Sequence, residues 1–424
     1  MIAVLGGGIT GLLIGWELQR LGGDFVVLEA TERAGGVIRS GEVEGRVVEW
    51  GPQRMRMTPV VQHLISALAL DQEVVTAPGD LDLWVFRAGT LRRIPFSTRA
   101  FLRSDIVSVQ AKLGLLLEPL TRGPDAAESV AAFFRRKVGA EVYETIVGPL
   151  FGGLYASDPA DMLVGISLVD FLRRTGVERS LVMAIIRGGG RVSPPPPCSF
   201  RGGMQVLPDA LAVSLGERLR LSCPVRRVAR AGAGWRIEVG GDGDYVEAEA
   251  VVVTTPAPAT AELLREVAPQ AAASIAELRY NPLAIVHLDA ETDLHGLGFQ
   301  VAFTEPDLLL RGVTYNDSMF AREHLYTAFL GGARHPEVVR LSKDDLATTA
   351  VSEFRRTTGH DARPLSVEHT QMPAWDRSWR AVAGLTLPSG LHIASNWWSR
   401  AGLPGRFAEA KQVSKALVSE SRRR

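Results

Sequence analysis

The chain has only two cysteines, Cys198 and Cys223, and no CxxC spacing. That gives no evidence for a zinc site or a disulfide framework, and it fits a reducing, cytoplasmic compartment. Eight histidines are present (His63, His287, His295, His324, His335, His360, His369 and His392), but they show no i, i+4 pairing and no neighbouring acid cluster. We therefore expect no metal and give none of them a catalytic role. There is no net charge: 47 Lys plus Arg balance 47 Asp plus Glu, so no long-range field favours nucleic acid and no nucleic-acid partner is expected. Long apolar runs are missing too. The longest charge-free stretch, Ala381 to Ser399, is broken by Gly384, Pro388 and Gly390 and makes a poor transmembrane helix. Met1-Ile2-Ala3-Val4-Leu5 has no basic flank or cleavage site and runs straight into glycines, so it reads as a buried strand, not a signal peptide. No GxSxG elbow, P-loop or internal repeat is found.

What the chain does have is length and alternation. At 424 residues it exceeds one ordinary core, which predicts two or three lobes and room for a large cofactor. Ile2–Leu5 and Phe25–Glu29 are β-rich runs on either side of a helical segment, about Thr10–Leu21, which is one βαβ unit. From about Phe101 to Arg187 the periodicity is helical. Gly188-Gly189-Gly190 and then Pro194 to Pro197 cannot continue a helix and predict an exposed connection. Arg236–Val239, Tyr245–Ala248 and Val251–Thr254 predict a meander around Gly240-Gly241-Asp242-Gly243, and Phe407–Val418 predicts a final amphipathic helix. The fold class expected is α/β with an α+β substrate lobe: a Rossmann-type cofactor domain, a mixed-sheet substrate domain and an inserted helical lobe.

The strongest chemical signal is Gly6-Gly7-Gly8-Ile9-Thr10-Gly11, a GxGxxG between a strand and a helix. Gly6 permits the tight turn, Gly8 lets a pyrophosphate approach the backbone, and Gly11 lets helix and strand pack closely. Glu29, 18 residues after Gly11, ends the next strand where an acid can accept hydrogen bonds from an adenosine ribose. Glu29-Ala30-Thr31-Glu32-Arg33-Ala34-Gly35-Gly36 then resembles the second FAD signature of the amine-oxidase-like flavoproteins, where an Arg and a Gly-Gly pair extend the diphosphate site. That spacing selects FAD over NAD.

Longer segments carry a closer resemblance. Val48-Glu49-Trp50-Gly51-Pro52, the run from Gly148 through Phe151-Gly152-Gly153 to Pro159, Ser199 to Pro208, Val251 to Pro256, Gly298-Phe299, and Phe329 to Glu337 are similar to the oxygen-dependent protoporphyrinogen/coproporphyrinogen oxidases of haem biosynthesis. The resemblance runs over nearly the whole chain. It implies an FAD-binding domain built from residues 1–75, 199–260 and 375–424, a substrate domain from 76–100 and 261–374, and a helical lobe over 101–198. It also implies a cofactor shell of Gly6, Gly8, Ile9, Thr10, Gly11, Glu29, Ala30, Arg33, Gly35, Gly36, Val37, Gly51, Pro52, Val225, Thr254, Trp375, Ser395, Asn396, Gly402 and Leu403. Val225 would bracket the adenine, and Gly202-Gly203-Met204 would pass the isoalloxazine side.

The implied reaction takes three hydrogen pairs from a porphyrinogen in successive two-electron steps, with O₂ as the acceptor. A small-molecule tetrapyrrole, apolar with carboxylates at its edge, is the expected substrate. By resemblance, Arg99 meets a propionate, Arg56 lies near cofactor and substrate, Phe299 and Phe329 line the macrocycle slot, and the Gly153 carbonyl faces the reacting ring. The end of the chain departs from the family pattern: Ser395 stands in place of a diphosphate-binding glycine, and Arg400 and Gly405 also differ. Two other readings stay open, a related flavin oxidase or desaturase with another apolar substrate and a non-catalytic flavin- or tetrapyrrole-binding protein. The apolar run Leu113-Gly114-Leu115-Leu116-Leu117-Glu118-Pro119-Leu120 is a candidate for peripheral membrane contact, with a buried helix contact as its alternative. No feature of the sequence specifies an oligomeric state.

Overall fold

The computed structural model describes residues 1–190, 194–241, 243–399 and 402–421. Its first sheet is parallel throughout and contains β1 (Ile2–Leu5) and β2 (Phe25–Leu28). Its order is Leu219–Arg220, β2, β1, Ala250–Val253, Leu391–Ile393. Each of its three central strands is a run of four apolar residues buried at every position. Such a strand needs cover on both faces. Helix α1 (Ile9–Arg20), Val206–Leu215 and Leu403–Ser421 supply one cover, joining Leu12, Leu13, Trp16, Leu207, Leu211 and Phe407 in one core. The other face is packed by Trp235, Ile237, Leu264, Ile275 and Trp397.

Ala250–Val253 is not the third strand of the meander but leaves it and pairs in parallel with β1. The antiparallel meander consists of Val225–Ala231, Gly234–Val239 and Tyr245–Ala248. The reason lies in the pattern: Tyr245–Ala248 alternates exposed and buried, as a half-covered strand does, whereas Ala250–Val253 is apolar throughout. The last helix also starts four residues earlier than its periodicity suggests, at Leu403.

The second sheet has seven strands in the order Arg363–Pro373, Tyr280–Asp289, Leu325–Gly331, Leu310–Tyr315, Gly298–Val301, Leu83–Arg87 and Thr90–Arg93. All neighbours are antiparallel except the parallel pair Gly298–Val301 and Leu83–Arg87. One face packs Phe86, Val286, Phe299, Val313, Tyr315, Tyr326 and Leu330 against Leu346, Ala350 and Phe354 of the helix Lys343–Thr358. That helix starts at a capping box, with Ser342 and Asp345 satisfying each other's backbone N–H.

Residues between Thr98 and Arg187 are helical in short pieces, as the periodicity predicts. Gly139, at φ +82°, ends Val130–Val138 and turns the chain into Ala140–Tyr155. The region is pinned internally by Lys137 and Glu118, both with no exposed side chain, at 3.2 Å. Its exit follows expectation as far as Pro196: Gly188 ends Leu181–Arg187 and Pro194 to Pro196 are exposed, but Pro197, expected in the exposed connection, instead begins the buried strand Pro197–Phe200 between Met55–Arg56 and Val74–Thr76.

Candidate functional site

The glycine turn joins β1 to α1, and each glycine answers a different constraint. Gly6 sits at φ +112°, and a Cβ there would lie 2.8 Å from the Thr254 Oγ1. On Gly11 a Cβ would lie 1.9 Å from the Gly6 carbonyl oxygen, so no side chain fits. Gly8 is the contrast. It caps α1 at an ordinary φ of −67° with no side-chain cap, and the one atom near a Cβ there is the Gly36 Cα at 3.9 Å. Gly8 thus borders open space, above the first turn of α1, where the N–H groups of Ile9, Thr10 and Gly11 have no intrahelical acceptor. This is a cradle for an anion. Thr254 braces it from beneath, donating its hydroxyl to Leu5 O and Gly6 O at 2.9 Å each.

Glu29 lies at the tip of β2, half-buried. One carboxylate oxygen accepts from Gly7 N–H at 2.6 Å and the other from Thr31 N–H and hydroxyl at 2.9 and 2.8 Å. That fixes the carboxylate and still leaves lone pairs for a ribose diol. Val225, half-buried, is held alongside, because Cys223 N–H donates to Glu29 O at 2.8 Å. Arg33 works on its own turn. Its Nη1 donates to Ala34 O, Ile38 O and Gln205 Oε1, and its Nη2 to Gly36 O, all within 2.7–2.8 Å. The guanidinium therefore shapes the Gly35-Gly36 turn that touches Gly8, while Ala30, Gly36, Val37 and Pro52 continue the open line. Val37 is an apolar side chain 55% exposed. Gly51 meets the Val37 carbonyl so closely that a Cβ would come within 1.9 Å.

At the carboxyl end, Ser395 is 2% exposed and its hydroxyl donates to Thr255 O at 3.0 Å. Where the family pattern has glycine, this serine side chain is turned back into the protein and tied to the loop after Ala250–Val253. Arg406 Nη1 donates to Ser395 O and Nη2 to Ser399 Oγ. Asn396 is half-buried; Gly402 is exposed at φ +84°, and Leu403 starts the last helix. Arg400 lies outside the described residues. Trp375, at φ +49°, stacks on Trp379 at 5.4 Å, and Trp379 Nε1 donates to Trp397 O, which places Trp375 between the first-sheet core and the helical region.

The second sheet contributes its other face. Across it run His287, Thr327, Thr314 and Gly298 in register, and beside them Ile285, Phe329, Gly312 and Gln300. Two segments roof this face. The loop Glu49–Arg54 covers one row: His287 Nε2 donates to Glu49 O at 3.1 Å, Asn316 Nδ2 lies between Thr327 Oγ1 and Gln53 Oε1, and Arg54 Nη1 reaches Thr314 Oγ1 at 3.5 Å. The helix Gly148–Tyr155 covers the far side, where Gly153 lies so close to Gln300 that a Cβ would come within 2.8 Å of its Oε1. Between the two roofs Phe329 is only half-buried. The gap left between them is a slot with half-buried Phe329 as its floor, exposed Gly153 on one wall and partly exposed Arg54 on the other, while Gly312 is buried beneath the Gln300 side chain.

Several expected residues do not meet there. Phe299 is fully buried on the opposite face, 6.2 Å from Tyr315, and as it stands cannot line a slot. Arg99 lies exposed on the short helix Thr98–Arg103 with no hydrogen bond or ion pair among the described residues. Arg56 donates to Pro195 O at 3.0 Å, beside the wall. Gly203, expected beside the cofactor rather than in the slot, packs on Ser40 and Val47, and Met204 is a core residue whose N–H donates to Glu49 Oε1. Arg54, Gln300, Gly312 and Thr314 were missed. A signal existed for Arg54, since it lies two residues from Arg56 in an extended segment, and such residues share a side. His287, on this face, also accepts from Ser366 Oγ at 2.8 Å and so spends both nitrogens.

A parallel sheet with a glycine anion cradle, a ribose acid and an adjoining slot roofed over a second sheet defines a dinucleotide-dependent oxidoreductase of the two-domain kind. A flavin containing amine oxidoreductase family profile matches residues 9–403, and the chain belongs to that family. Among its relatives, protoporphyrinogen oxidase 2 of Arabidopsis thaliana is 26% identical over 90% of this chain and 85% of its own length. Human protoporphyrinogen oxidase is 27% identical over 78% of this chain and 77% of its own. A candidate protoporphyrinogen oxidase of Exiguobacterium sp. 255-15 has the same fold, with a TM-score of 0.80 at 21% identity over 99% of this chain and 98% of that one. Cyclohexylamine oxidase of Brevibacterium oxydans also shares it, with a TM-score of 0.73 at 15% identity over 100% of this chain and 99% of that one. The cofactor is FAD, and the open space at Gly8 fits its diphosphate. Bound there, a flavin supplies two-electron oxidation; the chain supplies the cradle, the slot and the walls.

Proposed function

We propose that this protein oxidises a porphyrinogen to the porphyrin with O₂ as electron acceptor, with protoporphyrinogen favoured over coproporphyrinogen by the names of its relatives. The observation that carries the reading is the slot. An aromatic floor at Phe329, a side-chain-free wall at Gly153 and a guanidinium at Arg54 suit a flat apolar ring with carboxylates at its edge.

The purified flavoprotein is expected to generate porphyrin fluorescence from protoporphyrinogen, and more slowly from coproporphyrinogen, only when O₂ is supplied. Flat fluorescence with both, while another apolar donor bleaches the flavin, would replace this reading with a different oxidase or desaturase. A flavin that no donor reduces would point to a binding protein.

We also propose peripheral contact with an anionic membrane surface. In the helical region Leu102, Val109, Leu113, Leu116, Leu117 and Leu120 are 59–75% exposed, and Arg99, Arg103, Lys112 and Arg122 lie in the same segments. Among the described residues no helix is long and apolar enough to cross a membrane. The protein should float with phosphatidylglycerol vesicles in a density gradient and sink with neutral ones; sinking with both rejects the contact.

A further inference from the structure

Arg54 is a charge drawn into the protein without a counter-charge. Met55–Arg56 pairs with Pro197–Cys198 as extended backbone and turns Met55 into the first-sheet core, so Arg54 and Arg56 project to the same side, about 7 Å apart along the strand. The Arg54 guanidinium has two polar neighbours, Thr314 Oγ1 at 3.5 Å and Met319 Sδ at 3.4 Å, and no carboxylate within ion-pair distance among the described residues. Burial, and then the charge of Arg56, pulls its pKa down to about 10. Arg322, which is more deeply buried, is by contrast paired to Glu49 at 2.9 Å. A partly buried guanidinium with neither carboxylate nor carbonyl to meet it among the described residues is a ready receptor for an anion.

We propose that Arg54 is the receptor for a carboxylate of the substrate, with Arg56 as a second cation farther out on the same strand. The substrate would then lie in the slot with an anionic edge against the loop Gly51–Arg56 and its apolar body over Phe329. Thr314, hydrogen-bonded on one side to the guanidinium, holds the fork in place. This proposal rests on the porphyrinogen reading and adds to it the residue that sets the orientation.

The test uses the FAD-loaded enzyme and two product-like probes, coproporphyrin III and its tetramethyl ester, titrated in the same detergent. The wild type should bind the free acid tighter than the ester. In Arg54→Met the affinity for the acid should fall about tenfold or more, the loss of one charge-assisted contact, while affinity for the ester stays the same. Flavin content and visible spectrum should be unchanged and the melting temperature equal or higher, since an unpaired, partly buried charge has been removed. Arg54→Lys should recover part of the loss. An acid-to-ester ratio unchanged in a flavin-replete Arg54→Met overturns the proposal, as does a variant that loses FAD instead, which would assign the cation to the cofactor. A wild type that binds neither porphyrin overturns the porphyrinogen reading, and this proposal falls with it.

Discussion

Replacing Gly8 with alanine is expected to give a protein that folds normally and purifies nearly colourless. The φ of −67° suits alanine and the surrounding space is open, so the apoprotein should stay within about 1 kcal/mol of the parent, the scale of a changed helix cap. The same methyl group would occupy the place a diphosphate must approach to reach the N–H groups of Ile9 and Thr10. Losing two charge-assisted hydrogen bonds corresponds to a roughly 100-fold or larger drop in FAD affinity. Apoprotein melting curves and FAD titration separate the two effects. Equal FAD affinity in Gly8→Ala would show that the cradle is not where the cofactor is held. Gly11→Ala should behave oppositely, failing to fold well at any FAD concentration, because its Cβ meets backbone at 1.9 Å.

Glu49→Ala should be the most destabilising single change among the residues discussed, by about 3–5 kcal/mol in urea unfolding, because it leaves Arg322 buried and unpaired. Glu49 joins parts distant in sequence: Arg322 at 2.9 Å, Met204 N–H at 3.0 Å and the Ser40 hydroxyl. Its backbone carbonyl also accepts a hydrogen bond from His287 Nε2. A loss below about 1 kcal/mol would mean that the two sheets are not held together through this acid. The same network sets an acid response. Burial pushes the His287 pKa down to about 4, so below about pH 6.5 the unfolded chain takes up a proton that the folded one refuses until about pH 4. Stability from this group is therefore lost as pH falls through that window, about 3 kcal/mol in all. Burial raises the Glu49 pKa, and that contribution has the opposite sign, favouring the folded state as pH falls. His287→Gln should flatten the acid limb of the stability curve, and an unchanged limb would rule His287 out as its source.

Much of the cofactor half was legible because its signals are local. Gly6 needs a positive φ, Gly11 a missing Cβ, and Glu29 a position at a strand end, and all three constraints act within one βαβ unit. The meander was misassigned for a related reason. Periodicity identifies Ala250–Val253 as a strand, but only the choice of neighbour says which sheet it joins. Arg33 and Ser395 look like ligands in a one-dimensional motif, and in three dimensions each spends its side chain on nearby carbonyls.

By itself, then, the sequence determined the glycine cradle, the parallel sheet around it and the flavoprotein family, because short-range backbone sterics and apolar runs are written residue by residue. Tertiary structure alone decided the slot. Phe299 and Gln300 are neighbours in the chain, yet the pleat sends one into the core and the other towards Gly153, and the bulge between Leu310 and Gly312 sets which side chains face Phe329. Arg54 acquires its place opposite Thr314 only when the loop before Met55–Arg56 is laid over the second sheet. Strand alternation is visible in a sequence; the pairing register that converts it into a binding surface is a property of the packed molecule.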